Sequence, residues 1–334
     1  MDPDVRWGKR TATDRRPEEK YVGYELHLAT YVPPTGADPI PQLTAGMVLR
    51  SGVTRRAPAV VAILDTLGDV DEVLLDRGYT QAKAENLARP LRVRGVEVTM
   101  DLHSTQRGVR PGPIPGTIWV DGHLYISAMP EALQNLDEPP MSISQDERKE
   151  IRGRFDKREA YRFTALAKHR DDRNSQRFKG PALAGHLRCV NTPASIRLGH
   201  HLPTTSCAKG APCGCGKTVT VPDTDVERDR QPHPWQSTAW VRSYNRRSLI
   251  EGLNAQIRFQ SLNINRGFIR LNGLASTTLL LAVTLAGRNF DRLHDWHTAR
   301  GLNDPWQDHL GEPPDDRPLD RYTRTRGKPR RWRQ

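Results

Sequence analysis

A short polar stretch of the sequence combines a phenol, a carboxylate and guanidinium groups at regular spacing. On one continuous helix, at 100° per residue, four side chains share a face: Tyr244, Arg247, Glu251 and Arg258. The apolar residues cluster on a different face: Leu249, Ile250, Leu253 and Ile257. Packing explains the apolar stripe, but it does not require charged groups and a phenol in line. The pattern indicates a carboxylate that holds a metal ion while its neighbours bind phosphates.

A second candidate carboxylate follows an apolar run. Residues 73–75 are typical of a strand buried on both faces, and Asp76 comes directly after them. Ligands of α/β sheets bind at the carboxyl ends of strands, which favours a functional role for Asp76. An Asp before a glycine-containing turn is also ordinary turn chemistry, so this segment alone leaves both interpretations open. Taken singly, Glu251 is likewise compatible with a solvated surface helix.

The spacing Y-x2-R-x3-E-x6-R over residues 244–258 resembles the Y-x2-R-x3-E-x6-K signature of one branch of bacterial insertion-sequence DDE transposases. The segment DRGY, which begins at Asp76, resembles the surroundings of that family's second catalytic Asp. The resemblance implies an RNase H-like catalytic domain whose metal ligands include Asp76 and Glu251. It implies that the contacts to the transposon-end DNA are Tyr244, Arg247 and Arg258. Arg258 replaces a Lys, which keeps the charge but exchanges a compact ammonium for a planar fork.

The chemistry of the resembled family requires carboxylates that hold two Mg²⁺ ions about 3.5 to 4 Å apart. Mg²⁺ prefers oxygen ligands and retains water, so Asp and Glu suit it better than His or Cys. The resemblance therefore predicts Mg²⁺-dependent cleavage and strand transfer at transposon ends, with Asp76 and Glu251 as metal ligands.

The family's first catalytic Asp lies on the first strand of its fold, before the strand that corresponds to GYELHLA here. Three aspartates precede that segment, and none of them lies in an apolar run: Asp2, Asp4 and Asp14. The resemblance thus predicts a chain that lacks the first strand and is truncated at its N-terminus. Because two carboxylates bind a metal pair poorly, the activity of the chain is itself in question.

Because the first catalytic Asp of the family has no clear counterpart here, two competing hypotheses remain. The first is a non-enzymatic DNA-binding remnant, which has no activity or inhibits a full-length copy. The second is a host nuclease or resolvase of the same fold. An in-frame upstream strand with D-x-T would favour a transposase, whereas flanking inverted repeats would be absent for a host enzyme.

Composition points to an anionic polymer as the partner. The net charge is +12 and the pI is near 9.8, so we expect binding to DNA, both transposon ends and target. The N-terminus has no apolar segment of a signal peptide, and the longest apolar stretch, residues 279–286, is too short for a membrane span. We therefore expect a cytoplasmic protein without a membrane partner, and a homodimer on DNA as a further possibility.

Hydrophobic periodicity predicts alternating strands and helices. Strands are predicted at residues 22–32, 47–50, 73–75 and 96–102, with a hairpin turn at Asp121 and Gly122. Helices are predicted at 57–68, from Thr80 through Leu87 to an end near Pro90 or Gly95, at 144–170, at 244–258 and at 274–297. The apolar residues of the last helix should pack against the helix of Glu251: Leu279, Leu280, Val283 and Phe290.

The predicted fold class is α/β, an RNase H-like mixed sheet flanked by helices, with a long insertion before the helix of Glu251. The predicted division is a charged leader loop at 1–20, the first part of the core at 21–102, an insertion region at 103–235, C-terminal helices completing the core at 236–300 and a basic disordered tail at 301–334.

The cysteines lie in the insertion region: Cys189, Cys207, Cys213 and Cys215, with His186, His200 and His201 nearby. A structural Zn²⁺ would explain how a loop-rich stretch becomes ordered. The spacing C-x5-C-x-C differs from the usual C-x2-C of zinc sites, so free cysteines remain the alternative.

Overall fold

The described residues form a mixed α/β structure with several small sheets. The computed structural model describes residues 2–10, 17–52, 55–140, 142–166, 174–260, 262, 264, 269 and 271–311. Its strands are β1 (Arg6–Arg10), β2 (Glu19–Thr30), β3 (Thr44–Ser51), β4 (Glu72–Leu75), β5 (Glu97–Met100), β6 (Val109–Pro111), β7 (Thr117–Val120), β8 (His123–Ile126), β9 (Thr164–Ala165), β10 (Ser175–Lys179) and β11 (Thr218–Pro222).

Helices flank these sheets. They are α1 (Ala57–Leu64), α2 (Ala88–Val93), α3 (Glu131–Gln134), α4 (Gln145–Lys157), α5 (Pro181–Ala184), α6 (Pro193–Ile196), α7 (Thr238–Asn245), α8 (Ser248–Ala255), α9 (Leu274–Thr298) and α10 (Pro305–Leu310). A π-helix, Gln256–Gln260, directly follows α8. No helix among the described residues combines the length and apolar character needed to cross a bilayer.

The chain divides into two compact units. Unit 1 comprises Met1–Thr54, Asp65–Leu67 and Ser248–Gln334, and unit 2 comprises Arg55–Leu64 and Gly68–Arg247. The boundary at residues 247 and 248 falls inside the polar stretch that carries the transposase-like spacing. Tyr244 and Arg247 therefore belong to unit 2, whereas Glu251 and Arg258 belong to unit 1.

The sheet of unit 1 is antiparallel, in the order β1-β2-β3. The predicted strands at 22–32 and 47–50 are confirmed as β2 and β3. The predictions that residues 1–20 form a loop and that no strand precedes GYELHLA are both wrong for Arg6–Arg10. This strand pairs with β2 over the register Arg6↔Gly23 to Arg10↔Glu19. Edge pairing with a long strand stabilises β1 although its own sequence, RWGKR, shows no apolar alternation.

Helix α9 was predicted within one residue of its observed ends, but its buried face differs from the prediction. Leu285 is buried with Leu253 and Ile257 of the preceding helical segment, beside Leu28 and Met47 of the sheet. The four residues predicted to make this contact are instead exposed, by 68%, 39%, 64% and 46%: Leu279, Leu280, Val283 and Phe290. The buried face runs through Thr277, Leu281, Leu285 and Arg288.

Two of the early Asp residues bind the N-terminus of α9. Asp2 accepts hydrogen bonds from the Tyr24 hydroxyl at 2.7 Å and from the Gly273 amide at 2.9 Å, and Asp4 accepts one from the Leu274 amide at 2.7 Å. The first amides of a helix have no partner within it and carry a partial positive charge, so these carboxylates act as caps. The Gly273 and Tyr24 hydrogen bonds lower the pKa of Asp2. Asp14 lies outside the described residues.

The parallel pair of unit 2 joins β4 and β5 in the register Leu75↔Met100. The predicted strands at 73–75 and 96–102 and the helix from residue 57 are confirmed. Leu75 and Val98 pack with Val60 of α1 and Leu91 of α2 in one buried cluster. The helix predicted from Thr80 begins later, because a 3₁₀ turn at Ala84–Asn86 precedes α2.

The remainder of unit 2 contains two antiparallel sheets, β6-β7-β8 and β11-β10-β9. The hairpin turn predicted at Asp121 and Gly122 is confirmed, with φ of 48° and 83° at the two positions, between the paired residues Val120 and His123. The helix predicted at 144–170 is shorter, since α4 spans Gln145–Lys157.

The predicted disordered tail at 301–334 begins with ordered structure. Asp304 caps α10 by accepting a hydrogen bond from the Trp306 amide at 2.8 Å, and the Trp306 ring lies 5.1 Å from that of Phe290. The cap and the ring contact explain a helix that the surrounding charge does not indicate. Residues 312–334 lie outside the described residues.

Candidate functional site

Asp76 lies where β4 ends, as the sequence predicts. Its Oδ1 accepts a hydrogen bond from the Gly78 amide at 2.8 Å, and the side chain caps the 3₁₀ turn Arg77–Tyr79. The residue is exposed. Turn formation and function are therefore compatible, because the cap uses one carboxylate oxygen and leaves an exposed oxygen donor of the type that Mg²⁺ takes.

A second carboxylate, Asp101, follows β5 at the same edge of the parallel pair. It is buried, its Oδ1 accepts from the Trp235 indole at 2.8 Å, and its Oδ2 is paired with Arg77. Arg77 also binds Glu138, at 3.0 Å. Since both oxygens of Asp101 have protein partners, its role here is to orient Arg77 and Trp235. Asp101 was not predicted from the sequence, although its place after an alternating strand was the available signal.

Tyr244 and Arg247 lie near this edge. The Tyr244 ring stacks on Trp240 at 4.6 Å between centroids, and the Arg247 guanidinium lies 5.2 Å from the Tyr244 ring. Burial raises the pKa of Tyr244, Arg247 opposes this, and the negative charges of Asp101 and Asp76 raise the pKa further. The phenol therefore stays protonated at neutral pH and can donate a hydrogen bond to an anion.

Glu72 fixes the end of α7 that carries Tyr244. At the other end of β4, it accepts hydrogen bonds from Ser243 at 2.7 Å and Thr99 at 2.6 Å and pairs with Arg246. Burial raises the pKa of Glu72, but these three partners outweigh burial and hold it below its ordinary value. The folded state thus favours the ionised form.

We expect Glu72→Gln to destabilise the protein by about 1–2 kcal/mol at pH 7. A carboxyl with a lowered folded pKa stabilises the fold above its unfolded pKa of about 4.3, and that contribution disappears as pH falls through the folded pKa. The difference between variant and parent in urea unfolding should therefore shrink below about pH 4. Glu85→Gln, at an exposed pair with Lys83, is the control. A difference that does not change with pH would contradict this account.

The predicted continuous helix over 244–258 is wrong. Helix α7 ends at Asn245, residues 246 and 247 form a turn, and α8 begins at Ser248. The Arg246 and Arg247 amides bond three residues back, to Ser243 and Tyr244, rather than four. Arg246 also donates to the Ser243 carbonyl, a local bond, and pairs with Glu72, a tertiary contact, and both stabilise the turn. The 100° rule therefore does not carry across from Tyr244 to Glu251.

Glu251 and Arg258 are both exposed in unit 1. Glu251 lies on α8, and Arg258 lies in the π-helix. The predicted apolar face is confirmed for Leu253 and Ile257, which are 0% and 1% exposed. The sequence pattern indicates an outward carboxylate opposite a buried aliphatic face. The structure has this arrangement on a helix that is shorter than predicted.

The second group of potential metal ligands is the cysteine set of unit 2. The four sulfurs lie within 4.8 Å of one another: Cys189, Cys207, Cys213 and Cys215. Among the described residues, the three nearby histidines are not part of this set, and His200 instead contacts Arg188 at 3.0 Å. The chain therefore carries oxygen donors suited to Mg²⁺ and sulfur donors suited to a softer ion.

In unit 2 four groups lie at the carboxyl end of the β4–β5 pair. They are the exposed carboxylate of Asp76, the protonated phenol of Tyr244 and the guanidinium groups of Arg77 and Arg247. Such a set can bind a phosphate through Tyr244 and Arg247 beside the Asp76 carboxylate.

We compared the chain with protein-family models, curated proteins and solved structures, and found no match in any of the three.

Proposed function

We propose that the chain is a DDE transposase with an RNase H-like catalytic domain, which cleaves and transfers DNA strands at transposon ends. The observation that carries the proposal is the proximity of two motifs that are distant in sequence. Tyr244 of the second motif stacks on Trp240, which packs against Trp235. The Trp235 indole donates to Asp101, and Asp101 pairs with Arg77, the residue after Asp76 of the first motif. Arg247 lies against the Tyr244 ring. The resemblance to the family assigns Asp76, Tyr244 and Arg247 to one reaction, which requires them to lie close together.

The order of elements also supports the proposal. Three antiparallel strands precede α1, β4, α2 and β5, and β4 and β5 are parallel. Asp76 follows β4 at the carboxyl end of the parallel pair, which is where α/β proteins bind ligands. Among the described residues the antiparallel strands and the parallel pair form separate sheets, so the support for an RNase H-like domain is the order of elements along the chain.

The two proposed metal ligands suit Mg²⁺ by chemistry. Asp76 and Glu251 are exposed carboxylates, each carried by an ordered element, and both offer hard oxygen donors. A bound Mg²⁺ would supply activation of the attacking oxygen and stabilisation of the leaving oxygen. Within unit 2 the protein's own contribution is to hold the scissile phosphate: Tyr244 donates a hydrogen bond from its phenol, and the Arg247 guanidinium binds phosphate oxygens. By the resemblance, Arg258 is a further DNA contact.

The basic composition provides the long-range part of binding. A net charge of +12 attracts the DNA backbone and makes affinity fall as salt rises. The proposed partners are transposon-end and target DNA, bound by one chain or by a homodimer.

A second candidate, a DNA-binding remnant without activity, is favoured by the positions of Asp2 and Asp4. Their carboxylates bind the amides of Gly273 and Leu274, so both already serve as caps of α9, and neither lies at the end of β4 beside Asp76 in the sequence. On this alternative the basic surface and the phosphate contacts persist, and DNA binding occurs without cleavage.

The experiment that separates the two candidates is Mg²⁺-dependent cleavage of linear DNA carrying the inverted repeats that flank the coding sequence. The transposase proposal expects cleavage by the parent chain and a loss of at least about a hundredfold in rate for Glu251→Ala. Glu150→Ala, at an exposed position of α4, is the matched control and should cleave normally. Binding without cleavage by the parent would favour the remnant, and equal cleavage by Glu251→Ala would exclude Glu251 as a ligand.

A further inference from the structure

The four cysteine sulfurs of unit 2 have the spacing of a tetrahedral metal site. The Cys189 and Cys213 sulfurs are 3.9 Å apart, the Cys207 and Cys215 sulfurs are 3.7 Å apart, and all four lie within 4.8 Å of one another. Four sulfurs bound to one Zn²⁺ at about 2.3 Å are separated by about 3.8 Å from each other. The observed separations match that tetrahedron.

The same distances do not suit disulfide bonds. A disulfide joins two sulfurs at about 2.05 Å and pairs each sulfur with one partner, whereas here every sulfur has three near neighbours. All four cysteines are free. A cluster with no preferred pair is what a single shared ion requires.

Hydrogen bonds to sulfur add a second, independent feature. The Asn191 side-chain amide lies 3.6 Å from the Cys213 sulfur and also binds the Ala208 and Ala211 carbonyls, at 3.0 and 3.1 Å. The Cys215 backbone amide donates to the same sulfur. Amides directed at a sulfur stabilise a metal-bound thiolate and fix its orientation.

The cysteine cluster lies in a segment with little regular secondary structure. Between Cys189 and β11 the regular structure is the four-residue helix α6. Cys189 and Cys215 are both 0% exposed and belong to the buried cluster that contains Trp119 and Phe178. Ordering a long segment with little secondary structure costs conformational entropy, which one ion bound at four points offsets.

The neighbouring β7 hairpin is shaped to accept this segment. Gly116 has φ of +84°, and a Cβ added there would lie 2.7 Å from the Cys213 Cα and 2.8 Å from the Gly214 amide. Only glycine permits so close an approach of the two backbones. The cysteine segment is thus held against the hairpin at the point where two of its ligands originate.

We propose that Cys189, Cys207, Cys213 and Cys215 bind one structural Zn²⁺ that fastens the segment 189–217 to the sheets of unit 2. With four protein ligands the site is closed, so the ion has no open position for a substrate and its role is structural. The proposal does not depend on whether the chain cleaves DNA.

The test is the metal content of the full chain purified under reducing conditions, measured by elemental mass spectrometry. We expect one zinc per chain in the parent and less than about a tenth of that in Cys207→Ser and Cys213→Ser. Ser206→Ala, at the exposed neighbour of Cys207, is the matched control and should retain its zinc. A parent chain without zinc, or one with iron in its place, would overturn the proposal.

A second measurement uses the parent chain alone, so it does not depend on the folding of the variants. Replacing zinc with Co²⁺ should give the visible bands of a tetrahedral ion and strong sulfur-to-cobalt charge transfer, and titration should saturate at one Co²⁺ per chain. Weak bands of a six-coordinate ion, or four thiols that react freely in the presence of Co²⁺, would contradict a four-sulfur site.

Discussion

Asp76→Asn is expected to abolish Mg²⁺-dependent DNA cleavage, with a loss of at least about a hundredfold in rate, while DNA binding stays within about twofold of the parent. The amide oxygen of Asn can still accept the hydrogen bond from Gly78, so the turn after β4 is retained. The substitution removes the negative charge through which, on the proposed function, Asp76 would bind the metal ion. Loss of activity then reports on metal binding and not on a local change in fold.

The control for this substitution lies at the other end of the same strand. Asp71 is exposed and directly precedes β4, so Asp71→Asn removes an equal charge from the opposite edge of the parallel pair. Cleavage rates and mobility shifts of the two variants are measured on the same DNA. Equal cleavage by both variants would refute the assignment of Asp76, whereas weakened binding by Asp76→Asn alone would assign Asp76 to DNA contact.

Asp121→Ala should cause the largest loss of stability among the single substitutions proposed, about 3–5 kcal/mol. Asp121 and Arg158 form an ion pair at 2.6 Å, and their side chains are 5% and 1% exposed. Removing the carboxylate leaves a buried guanidinium without its counter-charge. It also removes the acceptor of the Gly108 amide, at 2.8 Å, from a turn position with φ of 48°. Urea unfolding measures the difference.

A double variant distinguishes loss of the pair from loss of the turn. Asp121→Asn keeps an acceptor for Gly108 and suits a positive φ, and Arg158→Met removes the charge that would otherwise be left buried. The double variant should therefore be more stable than Arg158→Met alone or Asp121→Ala alone. As an exposed comparison, loss of the Lys83–Glu85 pair through Glu85→Ala should cost less than about 1 kcal/mol. Similar losses at the buried and exposed pairs would contradict a special role for burial.

Local pattern was sufficient for elements whose neighbours in sequence determine their form. Alternation located β2, the short segment MVLR after a proline-rich loop located β3, and the apolar run of residues 73–75 located β4 with Asp76 at its end. The Asp121–Gly122 pair located the hairpin because its positive φ values suit few other residues. Helix α9 was found because its length gives many turns over which the apolar period repeats.

The candidate site was predictable only in part, because residue type and spacing are visible in the sequence and tertiary partners are not. Residue type and spacing selected Asp76, Tyr244, Arg247 and Glu251 without any knowledge of their partners. The sequence did not indicate Asp101, because the predicted strand ran to residue 102 and placed Asp101 inside it, whereas β5 ends at Met100. The role of Glu72 was also hidden, since its partners Ser243 and Arg246 are close to it only in the folded chain.

By itself, the sequence determined the position of Asp76 after a strand, the outward exposure of Glu251 and the basic charge that favours DNA. The tertiary structure decided where the polar stretch breaks, because the bond between Arg246 and Glu72 stabilises a turn that helix propensity does not favour. It decided which face of α9 is buried, since both faces carry leucine and only contact with the sheet distinguishes them. It also gathered four cysteines of irregular spacing into one cluster, because the distances between sulfurs depend on the path of the backbone and not on the number of intervening residues.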